Sequence, residues 1–135
     1  MAEKITGAQA MVKCLEEEGV SVVFGYPGVA ICPFFNSIYD SKIERVLVRT
    51  EQNAGHAASG YARVTGEVGV CVATSGPGAT NLITGIATAY ADSIPLVAIT
   101  GQVSSELIGI NSEEMVFLGV LPPTPAPSSF FGRRE

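Results

Sequence analysis

VGVCVATSGPGATNLITGIATAYADSIPLVAIT, residues Val68–Thr100, is the stretch that decides the fold. Val68 to Ala73 is a short apolar run rich in valine and reads as a buried strand. Ser75-Gly76-Pro77-Gly78 interrupts it, because glycine and proline are the strongest breakers of regular structure. Ala79 to Tyr90 has helical length and small apolar residues, and Leu96 to Thr100, after Pro95, returns to a strand. Two strands joined through a helix make a crossover, which requires them to lie parallel. Neither strand alternates polar with apolar, so both of its faces should be covered.

Upstream the same grammar repeats. Thr6 can cap a helix running to about Glu18, with Ala10, Met11, Cys14 and Leu15 on one face. Gly19 ends it, and Val20 to Phe24 is a strand. Gly25-Tyr26-Pro27-Gly28 is a turn, and Ala30 to about Ser41 a helix with Pro33 in its first turn, where proline is tolerated. Val46 to Val48 is a further strand, and Glu51 to Thr65 a helix closed by Gly66. The fold class is α/β: an open parallel sheet with helices on both faces. Four strands leave a small sheet with an unprotected edge. No repeat and no boundary interrupts the chain before Gln102. After Gly109 the pattern lapses, and Leu121 to Ser129 reads LPPTPAPSS. Residues 1–109 are therefore expected to be one incomplete domain, and 110–135 an extended, disordered tail.

Composition narrows the function. Apolar residues make up 47% of the 135, enough for a packed core. The net charge of −5, with Arg133-Arg134 as a terminal basic pair, argues against nucleic acid. Cys14, Cys32 and Cys71 are an odd number without a CxxC spacing, so they read as small core residues in a reducing compartment. No leader pattern and no apolar run of membrane length is seen, so the expected location is the cytoplasm, away from any membrane.

In an open α/β sheet, ligands sit beyond the carboxyl ends of the strands. Gly25–Val29, Arg49–Gln52 and Thr74–Asn81 each follow a strand and open a helix, so they converge there. Glu51 should face this crevice. A carboxylate at a helix start is also a common cap, and from position alone the two readings weigh equally. The Ser75–Asn81 turn could cradle an anion, but it is neither a Walker loop nor GxGxxG, and a tight turn with proline early in the helix explains it as well. His56, the lone histidine, lies among small residues without a cysteine or second histidine nearby. It reads as packed or interfacial rather than a metal ligand. The small residues Gly55 to Gly60 would let a second subunit approach closely.

Four strings, in order, carry a resemblance: VFGYPG (Val23–Gly28), RTEQNAGHAASGYARVTG (Arg49–Gly66), GVCVATSGPGATNLITGIATAY (Gly69–Tyr90) and DSIPLVAITGQV (Asp92–Val103). From about Ile5 to Gly109 the chain resembles the acetolactate synthase family of thiamine-diphosphate enzymes. The resemblance implies the pyrimidine-binding domain, with thiamine diphosphate gripped by its pyrimidine half only. It makes Glu51 the catalytic glutamate, which hydrogen-bonds ring nitrogen N1′ and promotes the imino tautomer that deprotonates thiazolium C2. It places Tyr26, Pro27 and Gly28 in the turn lining the pocket, and Thr74, Pro77 and Asn81 near the ring and the subunit contact. The complete family enzyme also uses Mg²⁺ and FAD, which this chain alone is not expected to bind. It decarboxylates pyruvate and joins the product to a second 2-keto acid, on the way to branched-chain amino acids. The implied partner is a second copy or a subunit carrying the diphosphate domain.

The sequence departs from that family at several places. Val29 stands where the family has the second glycine of GYPGGA, which would narrow the pocket. Thr50 replaces a histidine. Ile110 to Val116 lacks the glutamine the family carries there, and the domain's last strands, the flavin domain and the Mg²⁺-diphosphate domain are not seen. These departures suggest a truncated chain, inactive alone. A split enzyme completed by a partner, or a non-enzymatic module keeping the fold, are the alternatives. A nicotinamide- or flavin-binding Rossmann domain is disfavoured because no GxGxxG follows the first strand.

Overall fold

The computed structural model describes residues 4–104 and, as backbone, 118–121. Along the chain run α1 (Gly7–Glu17), β1 (Val22–Gly25), a 3-10 turn (Val29–Ile31), α2 (Cys32–Ile38), β2 (Glu44–Leu47), α3 (Glu51–Thr65), β3 (Gly69–Ala73), α4 (Pro77–Asn81), α5 (Ile83–Ala91), β4 (Leu96–Thr100) and β5 (Leu118–Leu121). The sheet order is β2-β1-β3-β4-β5. The first four strands are parallel, as the crossovers require, and β5 pairs antiparallel with β4, Leu96 opposite Leu121 and Ile99 opposite Leu118.

That fifth strand corrects the expected outline. The sheet is mixed, β4 is not its edge, and Leu121, the first residue of the proline-rich run, closes a strand. Phe117 to Leu121 is too short and too uniformly apolar to show a period, so the pattern alone did not reveal it. The rest of the expected tail lies outside the described residues.

Alternation along the strands builds two cores. Val70, Val72 and Ile99 join Val12, Val23, Ile31, Phe34, Ile38 and Ile43 on the α1/α2 side. Cys71, Ala73, Leu96 and Ala98 join Ala54, Ala58, Leu82 and Ala89 on the α3/α5 side. The first core is filled by bulk; Phe34 and Ile38 are essentially inaccessible, each contributing about 1.5–3 kcal/mol by its burial. The second is filled by close approach. A Cβ on Gly85 would stand 2.8 Å from the Gly55 Cα, and one on Gly69 would run into the carbonyl of Ala58. Small residues thus bring α3 against both α5 and the sheet.

Local signals set most element ends. Thr6 Oγ1 accepts from the Gln9 amide at 3.2 Å while Gln9 Oε1 accepts from the Thr6 amide at 2.8 Å, a reciprocal cap for α1. Gly66 closes α3 at φ 78°, a left-handed conformation that glycine takes without penalty. The inward face of α1 differs from the expected one: Val12 is buried and Leu15 packs on the core, whereas Met11 and Cys14 are exposed. Cys32 is exposed too, so Cys71 alone is a core cysteine. The helix expected over Ala79–Tyr90 divides at Leu82, whose amide bonds back three residues to the Ala79 carbonyl at 3.1 Å. That tightened turn ends α4 at Asn81. At the sheet's other edge, β2 carries exposed Glu44 and Arg45, the Arg45 guanidinium lying 4.6 Å from the centre of the Tyr39 ring. Among the described residues no helix is long and apolar enough to cross a membrane.

Candidate functional site

The strand order makes a crevice at one place. From β1 the chain leaves through α2 toward β2; from β3 it leaves through α4 and α5 toward β4, in the other direction. α2 and α5 also lie on opposite faces of the sheet. The carboxyl ends of β1 and β3 therefore part, and ligands of open α/β sheets bind at such a parting. Tyr26, Pro27 and Gly28 follow β1, and Thr74, Pro77 and Asn81 belong to the segment after β3. Glu51 opens α3 just after the neighbouring β2.

Close backbone contacts shape the two walls. A Cβ on Gly25 would stand 2.7 Å from the Val72 carbonyl oxygen, and the Tyr26 amide donates to that oxygen at 3.2 Å. Beyond this pinch, the Thr74 side chain separates the two turns. A Cβ on Gly28 would stand 2.5 Å from the Thr74 Cβ, and one on Gly78 would stand 2.6 Å from its Cγ2. Both neighbours of Thr74 are glycines because nothing larger fits beside a β-branched side chain there. Gly76, with φ 59° and ψ −123°, makes the sharp entry into α4, a conformation open essentially to glycine. Tyr26, Pro27, Pro77 and Asn81 are exposed, while Gly28, Glu51 and Thr74 are half-buried. The site is an open rim rather than an enclosed pocket.

Glu51 is not the cap of its own helix. Thr50 takes that position in extended conformation, its Oγ1 accepting from the Asn53 amide at 3.4 Å. The Glu51 carboxylate instead turns toward α4, where Oε2 accepts from Asn81 Nδ2 at 3.1 Å. A Cβ added at Gly78 would lie 3.5 Å from the Glu51 Oε1. Gly78 was not among the expected site residues; its signal was the glycine immediately after Pro77. Six of the expected residues thus form two facing turns, and Glu51 stands at the head of the third segment.

Other expectations resolve differently. Val29 is 91% exposed, so its side chain lies in solvent and does not narrow the crevice within this chain. His56 is exposed on α3, and among the described residues no group of three or more His, Cys, Asp or Glu could hold a metal ion. Two surface hollows, of about 320 Å³ and 630 Å³, lie near the amino ends of the strands. Glu18, Ser21, Tyr61 and Glu67 line the smaller, and Glu16, Asp40 and Lys42 the larger. Neither reaches Glu51. Their volume reflects grooves between elements, whereas the carboxyl-end rim combines helix starts, bare glycine backbone and a carboxylate with one oxygen turned to the turn.

The Glu51 carboxylate at this rim can accept from an N–H of a ligand. The sequence model described as "Thiamine pyrophosphate enzyme, N-terminal TPP binding domain" matches residues 5–120. A "Probable acetolactate synthase large subunit" of Methanocaldococcus jannaschii is 58% identical over 118 residues, covering 87% of this chain and 20% of that protein. The "Acetolactate synthase isozyme 2 large subunit" of Escherichia coli is 57% identical over 117 residues, covering 86% of this chain and 21% of that protein. The "Acetolactate synthase large subunit" of Corynebacterium glutamicum is 57% identical over 123 residues, covering 90% and 20%. The chain spans about a fifth of the length of the curated relatives it matches.

Proposed function

This chain belongs to the thiamine pyrophosphate enzyme family, as an N-terminal TPP-binding domain, and from that premise we propose that it seats the aminopyrimidine ring of thiamine diphosphate on the rim formed by the β1 and β3 turns and the start of α3. Glu51 is the residue that meets ring nitrogen N1′. Tyr26, Pro27 and Gly28 form one side of the seat, and Thr74 and Pro77 the other, with Asn81 acting through its hydrogen bond to Glu51. The observation that carries this reading is the Glu51 carboxylate: released from capping by Thr50, it points across to α4 with Oε1 beside the side-chain-free Gly78.

When bound, the cofactor supplies an electron sink at its thiazolium carbon for cleavage next to a keto group. The protein's part is to hold the ring, exclude alternative poses and keep at N1′ a carboxyl group that can pass a proton to that nitrogen and take it back. The diphosphate half, with Mg²⁺, is held by a domain outside these 135 residues, on the same polypeptide or on a partner subunit or second copy. The relatives are named acetolactate synthase large subunits, which favours acetolactate synthesis; pyruvate as substrate, FAD in the whole assembly and a place in branched-chain amino-acid biosynthesis are what the family resemblance implies. The acidic net charge of −5 disfavours a nucleic-acid partner, and a cytoplasmic location is part of the same reading.

The test is saturation-transfer NMR of thiamine diphosphate with the 135-residue chain. Wild type should mark the pyrimidine protons, and Glu51→Gln should lose that signal with its melting temperature unchanged. With a diphosphate domain supplied, Glu51→Gln should slow exchange of the C2 proton by roughly 10²–10⁴-fold, the usual range for a removed acid–base group. Equal marking in wild type and variant would defeat the assignment of Glu51.

A further inference from the structure

The two oxygens of Glu51 stand in different surroundings. Oε2 accepts from Asn81 Nδ2 at 3.1 Å, whereas Oε1 faces the glycine of the turn, 3.5 Å from where a Gly78 Cβ would be. An unrestrained carboxylate rotates broadly about its last torsion, so either oxygen could present itself. Asn81 is well placed to prevent that. It is the last residue of α4, and its neighbour Leu82 is fully buried. The turn beneath it is tied by the Thr80 amide to the Gly76 carbonyl at 3.0 Å, by Thr80 Oγ1 to the Pro77 carbonyl at 3.0 Å, and by the Leu82 amide to the Ala79 carbonyl at 3.1 Å. The donor thus sits on a short, anchored turn, and the acceptor on the first residue of a long helix.

We infer that Asn81 is a positioning residue: by occupying Oε2 it leaves Oε1 as the one oxygen presented to the N1′ position of the bound pyrimidine, where the carboxyl and the ring nitrogen share a proton. This rests on the reading of Glu51 given above. It goes further in assigning Asn81 to the carboxylate rather than to the ring. Nδ2 commits one of its two protons to Oε2.

Two measurements test it. In the first, melting temperatures of Glu51→Gln, Asn81→Asp and the double variant are compared without ligand. Asn81→Asp sets two carboxylates at hydrogen-bonding distance and should lower the melting temperature. The double variant should recover it, since a glutamine amide can donate to the new aspartate. Additive effects of the two changes would overturn the contact. In the second, affinity for thiamine is measured alongside a thiamine analogue in which N1′ is replaced by CH. Asn81→Ala should weaken thiamine by about tenfold, the scale of one hydrogen bond to a charged group, and leave the analogue unchanged. The double variant should fold as wild type yet bind thiamine no better than Glu51→Gln. Equal affinities of wild type and Asn81→Ala for thiamine would overturn the role of Asn81 alone. Equal weakening of thiamine and analogue by Asn81→Ala would also overturn it, by assigning the amide to another part of the ligand. Failure of wild type to distinguish thiamine from the analogue would remove the reading of Glu51, and this inference with it.

Discussion

At the scale of single residues, position in sequence and placement of the side chain are separate matters. Glu51 was legible as a helix-start acid beyond a strand end. Which of its two ordinary uses it serves was not, because a cap and a ligand-facing carboxylate occupy the same position. Thr50, extended before the helix, takes the capping role, and the Glu51 side chain turns instead to Asn81. The cysteines show the converse. All three have apolar neighbours in sequence, yet only Cys71, on an inner strand, is buried. Burial pushes its thiol from 9.0 up to about 12. A thiol reagent such as Ellman's should therefore label Cys14 and Cys32 in the native chain and Cys71 only after unfolding. The same shift fixes a sign for stability. Below pH 9 the thiol is protonated in both states and its contribution is complete; between pH 9 and about 12 the unfolded chain releases the proton first, so stability falls as pH rises. Denaturation midpoints of Cys71→Ala should be lower overall but lose this alkaline component. An unchanged alkaline slope would count against burial as its cause.

At the scale of elements, capping chemistry was readable and packing geometry was not. Thr6, Gly19 and Gly66 announced their boundaries, and α3 begins and ends where Glu51 and Thr65 suggested. The division of the fourth expected helix at Leu82 had no such marker, since it depends on one carbonyl–amide pairing rather than on a breaking residue. Nor could the sequence separate the glycines of α3. Gly55 is pressed against Gly85 of α5, whereas a Cβ on Gly60 would meet nothing within 4 Å. Two substitutions read this difference directly. Gly85→Ala should destabilise by about 1–3 kcal/mol through overpacking. Gly60→Ala should stabilise by up to about 1 kcal/mol, the helix-propensity difference of the two residues. Urea unfolding followed by circular dichroism measures both. If Gly85→Ala cost no more than Gly60→Ala, the helices would not meet where they are placed.

At the scale of the whole molecule, the alternation of strands and helices gave the class of fold, and the sheet order then supplied what alternation leaves open. The crossovers require parallel strands, but only the order β2-β1-β3-β4 puts the parting of the chain between the Tyr26 turn and the Thr74 turn. The fifth strand was illegible because β5 reverses direction and lies beyond a stretch without a clear period. Among the described residues β2 and β5 are the two edges of the sheet, and on β2 Glu44 and Arg45 are exposed. An unpaired backbone of this kind is a template on which further chains can stack into fibrils, and charged side chains there act as gatekeepers. Replacing Glu44 and Arg45 with valine should turn a tolerated border into a nucleus for polymerisation, visible as rising light scatter and thioflavin fluorescence at a concentration where wild type stays clear. The pair that does nothing for the coenzyme would then govern how long the chain remains in solution.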